Sequence, residues 1–404
     1  MFLLLLLPSL LFADEPVIRV GLTGIGKPNQ LTVKSDQPFK IGDTELQSVT
    51  LTLDDGEISA AWDMGHMGPM GPMRLIPLKD DAIFEIVSPK VRCARYRGIL
   101  EISGGKALSV VNELPLEDYV RGVIPIEVPA SFQPEAQKAL AIAIRTYALK
   151  SLDRHKSSGF NMCDSVHCQG FAGASRDAKW VDKLIDDTRG QILVYKGQPI
   201  YAVYSSDCGG VTQNNEDAGY GPALPYLRSV GDRPNAQLPT SPAAGGIPSD
   251  RRDNSQLPTA EEPDYCAGCP YHTWTKTFKP EELDKAFSNR IGKFQSIEFS
   301  ECDCSGRVKT VVIKGEDDEY KLTGGKFREL FGESVIKSAL MTLTVNEDGE
   351  CVIEGKGFGH GVGLCAFGAN GMAKSGKTCE EILKHYYTGA EVKKISDIRF
   401  RIAD

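Results

Sequence analysis

Hydrophobic and polar residues alternate with a period of two along most of the first 112 residues of the chain. β-Branched residues alternate with polar ones in VIRVGLTG, LTLDDG, AIFEIVSP, RGILEIS and ALSVVNEL. This period is typical of strands that bury one face, and the Gly, Asp and Pro residues between the runs are typical of turns. The pattern predicts a β-rich region over residues 14–112, with an irregular loop at DMGHMGPMGPMRL, residues 63–75.

A helical period begins at Pro134. Between Pro134 and Leu152 no glycine or further proline interrupts PEAQKALAIAIRTYALKSL, and apolar residues fall on most sides of a helix drawn through it. The pattern predicts a long helix that is buried on most faces. Ser131 is expected to be its N-cap, and Pro134 suits the first turn.

Shorter elements follow this helix. Residues 190–205 predict a hairpin with its turn at Lys196-Gly197, and residues 231–263 predict a long loop. KPEELDKAFS and FRELFG predict short helices, VKTVVIKG a strand, and CEEILKHYY an amphipathic helix. Together the elements predict an α+β fold: a β-rich core with a long buried helix and a smaller inserted α+β lateral domain.

The N-terminus and the charge indicate where the chain acts. The run MFLLLLLPSLLFADEP is almost wholly apolar from Phe2 to Phe12, and a small residue, Ala13, precedes Asp14. This predicts a signal peptide over residues 1–13 and export to the periplasm or cell envelope, with a short membrane anchor as the alternative. The net charge of -8, without a basic block, argues against nucleic acid as a partner.

One carboxylate has the setting of a general acid. Glu127 lies among apolar residues and two prolines in GVIPIEVPAS, just before the predicted helix. Apolar neighbours disfavour the charged form and raise the pKa of a carboxyl group, which then keeps a proton that it can donate to a glycosidic oxygen. The alternative is that Glu127 simply pairs with Arg145, a lone charge inside the apolar helix.

Two glycine-containing loops are candidates for contacts with a polar ligand. YSSDCGGVT, residues 204–212, ends a strand in hydroxyls and paired glycines, which allows close approach to a ligand such as a sugar. GKGFGHGVG, residues 355–363, surrounds His360 with glycines. The alternatives are an ordinary polar turn and a structural histidine.

A third segment imitates a nucleotide-binding loop. Residues 371–378, GMAKSGKT, fit the P-loop pattern letter for letter. A P-loop follows a buried strand, whereas AFGAN precedes this segment, and few residues remain to complete a nucleotide-binding domain. The sequence therefore predicts no nucleotide as a ligand.

Eleven cysteines indicate disulfides, metal sites or both. His155, Cys163, His167 and Cys168 could form a closed tetrahedral zinc site of structural type, with a Cys163–Cys168 disulfide as the alternative. A second set resembles a zinc ribbon and could equally form disulfides: Cys266, Cys269, Cys302 and Cys304. The remaining cysteines have no partner that spacing identifies: Cys93, Cys208, Cys351, Cys365 and Cys379.

Several long motifs, in order, resemble one family. The strongest is LPLEDYVRGVIPIEVPASFQPEAQKALAIAIRTYAL, followed by CDSVHCQGF, by YSSDCGGVTQNNEDAG with PYLRSV, and by GFGHGVGL with GANGMAKSGKTCEEILKHYYTGAEVKKI. From about Val17 to its end, the chain resembles the stage II sporulation protein D family, which includes the amidase-enhancer (LytB-type) proteins. The resemblance implies a lytic transglycosylase that cleaves peptidoglycan glycan strands and prefers strands stripped of their stem peptides.

The resemblance also implies roles for individual residues. It makes Glu127 the catalytic residue, and zinc bound by the CDSVHC loop of some members agrees with the predicted metal site. The residues expected to bind saccharide are Arg145, Ser206, Gly209, Gly210, Thr212, Glu216 and His360. The enhancer branch implies the alternative function, a non-catalytic peptidoglycan-binding partner of a cell-wall amidase.

The chain departs from the family pattern at three positions. Cys365-Ala366 stand where a Ser-Gln pair is usual, and Cys208 replaces a small hydroxyl residue. The lone carboxylate nevertheless suits the implied chemistry. A lytic transglycosylase uses the 6-hydroxyl of the sugar as its nucleophile, so one glutamate can act as acid and then as base. Glu216 is expected to stabilise positive charge at the sugar ring.

Combined with the elements above, the resemblance divides the chain into five segments. These are a signal peptide (1–13), a β-rich region (14–112), a catalytic core with Glu127 and the saccharide-groove loops (113–230), a lateral insert (231–345), and a Gly-rich loop and helix that complete the core (346–404).

Overall fold

The computed structural model describes residues 15–89, 91, 93–234 and 263–398. The predicted signal peptide, residues 1–13, lies outside the described residues, as does most of the predicted loop over residues 231–263. Across the described ranges, no helix combines the length and the apolar composition that crossing a bilayer requires.

Contacts divide the chain into two compact units. The first unit contains Met1–Ser131, Ile144–Ile192 and Lys393–Asp404, and the second contains Phe132–Ala143 and Leu193–Val392. The predicted segment boundaries at residues 112 and 230 lie inside these units rather than between them, so the division into five segments stays a prediction.

The first unit is built on an eleven-stranded sheet, which confirms the predicted β-rich region. Its strands are β1 (Val17–Gly21), β2 (Gln30–Ile41), β3 (Thr44–Asp54), β4 (Glu57–Trp62), β5 (Gly65–Met70), β6 (Met73–Pro77), β7 (Phe84–Val87), β8 (Ala94–Tyr96), β9 (Ile99–Ser103), β10 (Ser109–Pro115) and β11 (Met162–Cys163). The main path runs β11-β1-β10-β9-β6-β2-β3-β4-β5, and β7 joins β2 to β8. Inward residues such as Ile18 and Val20 of β1 are fully buried, as the alternating pattern requires.

The predicted irregular loop over residues 63–75 is wrong, because β5 and most of β6 lie there. β5 is an edge strand, and in the described sheet it pairs only with β4. Pro69 has no N–H to donate, but among the described residues no strand lies on the other side of β5 to need a hydrogen bond from it. An edge strand therefore tolerates the glycines and prolines that favour a loop in sequence-based reasoning.

Three helices follow β10 along the chain: α1 (Leu116–Glu127), α2 (Pro134–Lys150) and, after β11, α3 (Lys179–Thr188). α2 is the predicted long buried helix, and residues 139–149 are all buried. Pro134 is its first residue, as expected. Ser131 is not its N-cap, because the helix starts at Pro134. The carbonyl oxygen of Gln133, the residue before it, accepts the first hydrogen bonds, from the N–H groups of Ala136 and Gln137.

The predicted hairpin is present, and most of its residues belong to the second unit. β12 (Gln191–Tyr195) pairs antiparallel with β13 (Gln198–Pro199), and Lys196 and Gly197 form the turn with φ of 51° and 75°. The second strand is shorter than predicted. β14 (Tyr204–Ser205) instead pairs in parallel with β21 (Leu364–Cys365), which brings the 204–212 loop beside the 355–363 loop.

An α+β region with a hydrophobic core covers most of the predicted insert, residues 231–345, and extends past its predicted end to residue 356. Its elements are β15 (Thr273–Phe278), α4 (Pro280–Ile291), β16 (Phe294–Phe299), β17 (Thr310–Gly315), β18 (Glu319–Thr323), α5 (Gly324–Phe331), β19 (Met341–Val345) and β20 (Cys351–Lys356). They form two three-stranded sheets, β15-β20-β19 and β16-β17-β18. Phe287 and Phe327 from the two helices are almost completely buried in this core.

The C-terminal segment contains α6 (Ala366–Lys374), α7 (Cys379–Tyr386) and β22 (Glu391–Lys394). The P-loop-like residues 371–378 span the end of α6, the turn at Gly376 and Thr378, the N-cap of α7. The first glycine of the pattern therefore lies inside a helix. The segment is a helix–turn–helix and not the strand-to-helix loop that cradles phosphate.

Candidate active site

Glu127 is the last residue of α1, in the first unit. It is half-buried, and one carboxylate oxygen, Oε1, accepts a hydrogen bond of 2.7 Å from the N–H of Gly170. A Cβ atom at position 170 would lie 2.4 Å from Cγ2 of Ile126 and 3.1 Å from that oxygen. Only glycine therefore allows the 170 backbone to approach the carboxylate this closely.

The environment of Glu127 favours the protonated carboxyl group. Burial raises the pKa of Glu127, and the Gly170 N–H, which stabilises the carboxylate, offsets part of this effect. The C-terminal end of a helix carries partial negative charge, which adds to the preference for the neutral form. Within the described part of the chain, Glu127 makes no ion pair that would hold it ionised.

Arg145 pairs with Glu117 and not with Glu127. Its Nε and Nη2 atoms lie 3.0 and 2.7 Å from the two Glu117 oxygens, and both side chains are buried. The Arg145–Glu127 pair weighed from the sequence is therefore wrong. Arg145 was also expected to bind saccharide, but it has no exposed surface, so it holds α1 against α2 and cannot reach a ligand.

The four predicted metal ligands lie together in the first unit. The donor atoms of His155, Cys163, His167 and Cys168 all lie within 4.8 Å of one another. Nε2 of His155 is 3.2 Å from Sγ of Cys168, Nδ1 of His167 is 3.6 Å from both sulfurs, and the two sulfurs are 3.4 Å apart. In a tetrahedral zinc site the bonds are about 2.3 Å to sulfur and about 2.0–2.1 Å to nitrogen. The distances between two ligand atoms, the edges of the tetrahedron, are then about 3.8 Å for sulfur–sulfur and about 3.6 Å for sulfur–nitrogen.

The same loop leads directly to the Glu127 contact. Cys168 is followed by the buried Gln169, whose Oε1 accepts a 3.1 Å hydrogen bond from the Tyr119 hydroxyl of α1, and then by Gly170. The next residue, Phe171, stacks on the Tyr119 ring at 5.4 Å. The cysteine–histidine loop thus fixes the backbone that hydrogen-bonds Glu127.

The groove residues predicted from the 204–212 loop have different surroundings in the second unit. Ser206 is exposed, whereas Thr212 is buried and its hydroxyl lies 3.4 Å from the carbonyls of residues 228 and 230. Gly209 and Gly210 have φ of 71° and 96° and line a cavity of about 1190 Å³. Ser206 is therefore accessible in this unit, the two glycines are buried but border the cavity, and Thr212 is occupied with the backbone.

His360 uses both ring nitrogens within the protein. Nε2 lies 2.9 Å from the carbonyl oxygen of Tyr204, to which it donates, and Nδ1 accepts a 3.0 Å hydrogen bond from the Val362 N–H. Burial and the positive charge of Arg328 lower the pKa of His360 to about 4, so the ring is neutral near pH 7. It lines a cavity of about 500 Å³, to which it offers its ring but no spare nitrogen.

Glu216 lines the same cavity as His360 but remains ionised. Its carboxylate accepts two hydrogen bonds from the Arg228 guanidinium, one of them of 2.6 Å, and these bonds lower its pKa. A carboxylate held in this state is a poor proton donor. It suits the stabilisation of positive charge, which is the role expected for it.

A cluster that the sequence did not reveal lies in the second unit. Asp207, Cys208, Cys266 and Cys365 are all buried, and their donor atoms lie within 4.8 Å of one another. Cys302 and Cys304 belong to no such group among the described residues, so the ribbon that joined them to Cys266 and Cys269 is wrong. Cys266 and Cys365 are 58 and 157 residues from Cys208 along the chain. At such separations the spacing of cysteines in the sequence does not indicate that they lie together.

Comparison with known proteins places the chain in a family. A family model described as "Stage II sporulation protein" matches residues 104–195. Stage II sporulation protein D of Bacillus subtilis is 32% identical over 301 residues, which cover 70% of this chain and 76% of that protein. The chain belongs to the stage II sporulation protein D family.

Two further relatives have different descriptions. An uncharacterized protein of Brachyspira hyodysenteriae is 29% identical over 388 residues, which cover 94% of this chain and 94% of that protein. The amidase enhancer of Bacillus subtilis is 29% identical over 290 residues, which cover 67% of this chain and 39% of that protein. Membership in this family supports a role related to the cell wall.

The candidate site residues fall into two matched regions. Glu127 and the four clustered cysteine and histidine residues lie within the stage II sporulation protein match, residues 104–195. Glu216 and His360 lie within residues 213–363, which match a domain of unknown function (DUF8618). The three residues that depart from the family pattern, Cys208, Cys365 and Ala366, lie outside both matches.

Proposed function

We propose that the protein is a lytic transglycosylase that cleaves peptide-stripped peptidoglycan glycan strands, with Glu127 as its general acid and base. One observation carries the proposal: the half-buried carboxyl group of Glu127 has a raised pKa and, among the described residues, no cationic partner. A raised pKa favours the protonated form of this carboxyl group, and that form can donate its proton to a leaving oxygen.

The reaction needs one carboxyl group. Glu127 donates its proton to the glycosidic oxygen as the bond from that oxygen to the anomeric carbon breaks. The resulting carboxylate takes a proton from the 6-hydroxyl of the same sugar as this oxygen attacks the anomeric carbon. The products are a shorter strand and a 1,6-anhydro sugar end, no water is consumed, and Glu127 is again protonated.

Two features of the structure support this assignment. The Gly170 N–H stabilises the carboxylate that forms after proton donation, at the oxygen that it already contacts. Glu216 is held ionised by Arg228 and therefore does not compete as the acid. We assign binding of the glycan strand to the exposed Ser206, to the Gly209-Gly210 backbone and to the cavity beside Glu216 and His360.

The alternative function is a non-catalytic enhancer of a cell-wall amidase. It is favoured by the similarity to an amidase enhancer and by His360, whose ring nitrogens are both engaged. The two functions differ in the products formed from purified strands stripped of peptides. The transglycosylase gives anhydro-ended fragments by mass spectrometry, whereas the enhancer leaves the strands intact and accelerates a partner amidase.

We also propose that the mature protein acts after export, in the periplasm or cell envelope. The apolar run from Phe2 to Phe12 supports this location, which a glycan-cleaving activity requires. Cell fractionation tests it, and a full-length chain that stays in the cytoplasm would contradict it.

We further propose that His155, Cys163, His167 and Cys168 bind one structural zinc ion. The donor distances fit the tetrahedral edges given above, and four protein ligands leave no position open for substrate. The ion would fix the loop whose Gly170 meets Glu127, and it would take no part in the reaction.

Metal analysis and thermal unfolding test the zinc proposal without reference to activity. Cys163→Ser is expected to lose about one equivalent of zinc and to unfold at a lower temperature, because metal binding contributes to folding. Cys351→Ser, a buried cysteine outside both clusters, is the control. Unchanged zinc in Cys163→Ser, or a Cys163–Cys168 disulfide in freshly isolated protein, would contradict the proposal.

A further inference from the structure

The second cluster is assembled from three separate parts of the second unit. Asp207 and Cys208 follow β14, Cys266 lies in the short 3-10 helix Tyr265–Gly268, and Cys365 ends β21. The Asp207, Cys208 and Cys365 side chains are completely buried, and so is Cys266. Buried polar groups of this kind need hydrogen bonds, a counter-charge or a metal.

The spacing of the sulfur atoms suits a single ion. Sγ of Cys208 lies 3.9 Å from Sγ of Cys266, close to the edge of about 3.8 Å for two thiolates on one tetrahedral zinc. The Cys365 sulfur and one Asp207 oxygen lie within 4.8 Å of both. Donors this close converge on one centre, whereas the thiolates of an iron–sulfur cluster bind different iron atoms.

Hydrogen bonds around the cluster orient the donors. Sγ of Cys365 accepts two backbone N–H groups at 3.2 Å, from Cys208 and Gly368. One Asp207 oxygen accepts the Gly209 N–H at 2.7 Å, and the other lies 3.1 Å from Nδ1 of His272. Partners of this kind fix the ligands of metal sites and tune their basicity.

A buried cation lies beside the cluster. Arg307 has almost no exposed surface and donates a 2.7 Å hydrogen bond to the Cys208 carbonyl. Three thiolates and a carboxylate carry four negative charges, and a divalent ion would leave two. The Arg307 guanidinium would compensate one of these.

We propose that Cys208, Cys266, Cys365 and Asp207 form a second metal site, for one thiolate-preferring divalent cation such as zinc. The site would be structural, because four protein donors close its coordination and it is buried. It would tie the Gly209-Gly210 loop, the 265–268 turn and the start of α6 together. Cys208 and Cys365, two of the three residues that depart from the family pattern, are ligands of this site.

Metal content of the purified full-length protein tests the inference. With both sites filled, the wild type is expected to carry about two equivalents of zinc, and Cys365→Ser about one. Serine keeps the size of the side chain, and Cys351→Ser is the matched control with unchanged zinc. Full zinc content in a folded Cys365→Ser protein would overturn the proposal.

Cobalt absorption provides a second readout that does not need a variant of the new site. Cys168→Ser weakens the first site and leaves the second intact. Cobalt bound to the Cys168→Ser protein is expected to occupy the second site, where three thiolates would bind it. The thiolate-to-metal charge-transfer absorption should therefore have the intensity expected for three sulfur ligands, whereas the intact first site offers only two. Absence of that absorption would overturn the proposal, and so would a disulfide joining two of the three cysteines in protein isolated under reducing conditions. Both readouts are independent of any glycan cleavage.

Discussion

Arg145 donates two hydrogen bonds to Glu117, the glutamate at the opposite end of α1 from Glu127. Both partners are buried, and the Gly190 N–H donates a further 2.8 Å bond to the same carboxylate. The helix therefore carries one glutamate with a cationic partner and one without. This difference, more than the apolar sequence around Glu127, separates the structural carboxylate from the candidate acid.

Arg145→Met is expected to lower the free energy of unfolding by about 3–5 kcal/mol, because it leaves the Glu117 carboxylate buried and unpaired. The double variant Arg145→Met with Glu117→Leu removes both charges and is expected to recover most of the loss. Denaturant unfolding of the two variants measures the difference. If both variants lose the same free energy of unfolding, the unpaired Glu117 carboxylate is not the cause of the loss, and the ion pair does not stabilise the fold in the way stated here.

Gly170→Ala tests the contact between the metal loop and Glu127. The new Cβ would clash with Ile126, and its displacement of the N–H is expected to lower strand cleavage by roughly 10- to 100-fold. Loss of the hydrogen bond also raises the pKa of Glu127 further, so the alkaline limb of the pH–rate profile should move to higher pH. Gly71→Ala, where a Cβ meets nothing within 4 Å, is the matched control. An unshifted profile with normal cleavage in Gly170→Ala would contradict the role of this contact.

The raised pKa of Glu127 also predicts how stability depends on pH. The folded state holds the proton more tightly than the unfolded state, whose pKa is near 4.5, so the wild type loses stability as pH rises from that value through the folded-state pKa. Glu127→Gln does not titrate, and it should gain stability relative to the wild type over this window. Urea unfolding of both proteins between about pH 4 and 8 measures the difference. A difference that moves the opposite way would mean that Glu127 has a cationic partner.

Local patterns predicted much of this molecule. The period of two located the strands of the first sheet, and the uninterrupted apolar run located α2, because both depend on which face each residue buries. The sequence predicts a loop where β5 lies, because prolines and glycines are common there. A strand tolerates them when it lies at the edge of a sheet, and that position depends on the whole sheet and not on the local sequence. The partner of Arg145 and the Cys208 cluster could not be predicted from spacing, since both depend on contacts between distant segments.

The P-loop-like segment offers a negative prediction. Lys377 forms an exposed pair with Glu381, with Nζ and Oε1 3.3 Å apart, at the start of α7. Lys377→Ala is therefore expected to change the free energy of unfolding by less than about 0.5 kcal/mol and to leave cleavage unaltered. An affinity for ATP that disappears in Lys377→Ala, measured by calorimetric titration, would contradict this reading of the segment.

The most direct test of the central claim compares products of the wild type and Glu127→Gln on purified, peptide-stripped glycan strands. Mass spectrometry should show anhydro-ended fragments from the wild type, lighter by one water than hydrolysis products. Glu127→Gln keeps the shape of the side chain but cannot deliver the proton, so fragment formation should fall by roughly 10²- to 10⁴-fold while strand binding persists. Glu347→Gln, which changes an exposed glutamate, should cleave like the wild type. Equal cleavage by Glu127→Gln, or intact strands with the wild type and stimulation of an amidase by both proteins, would contradict the account.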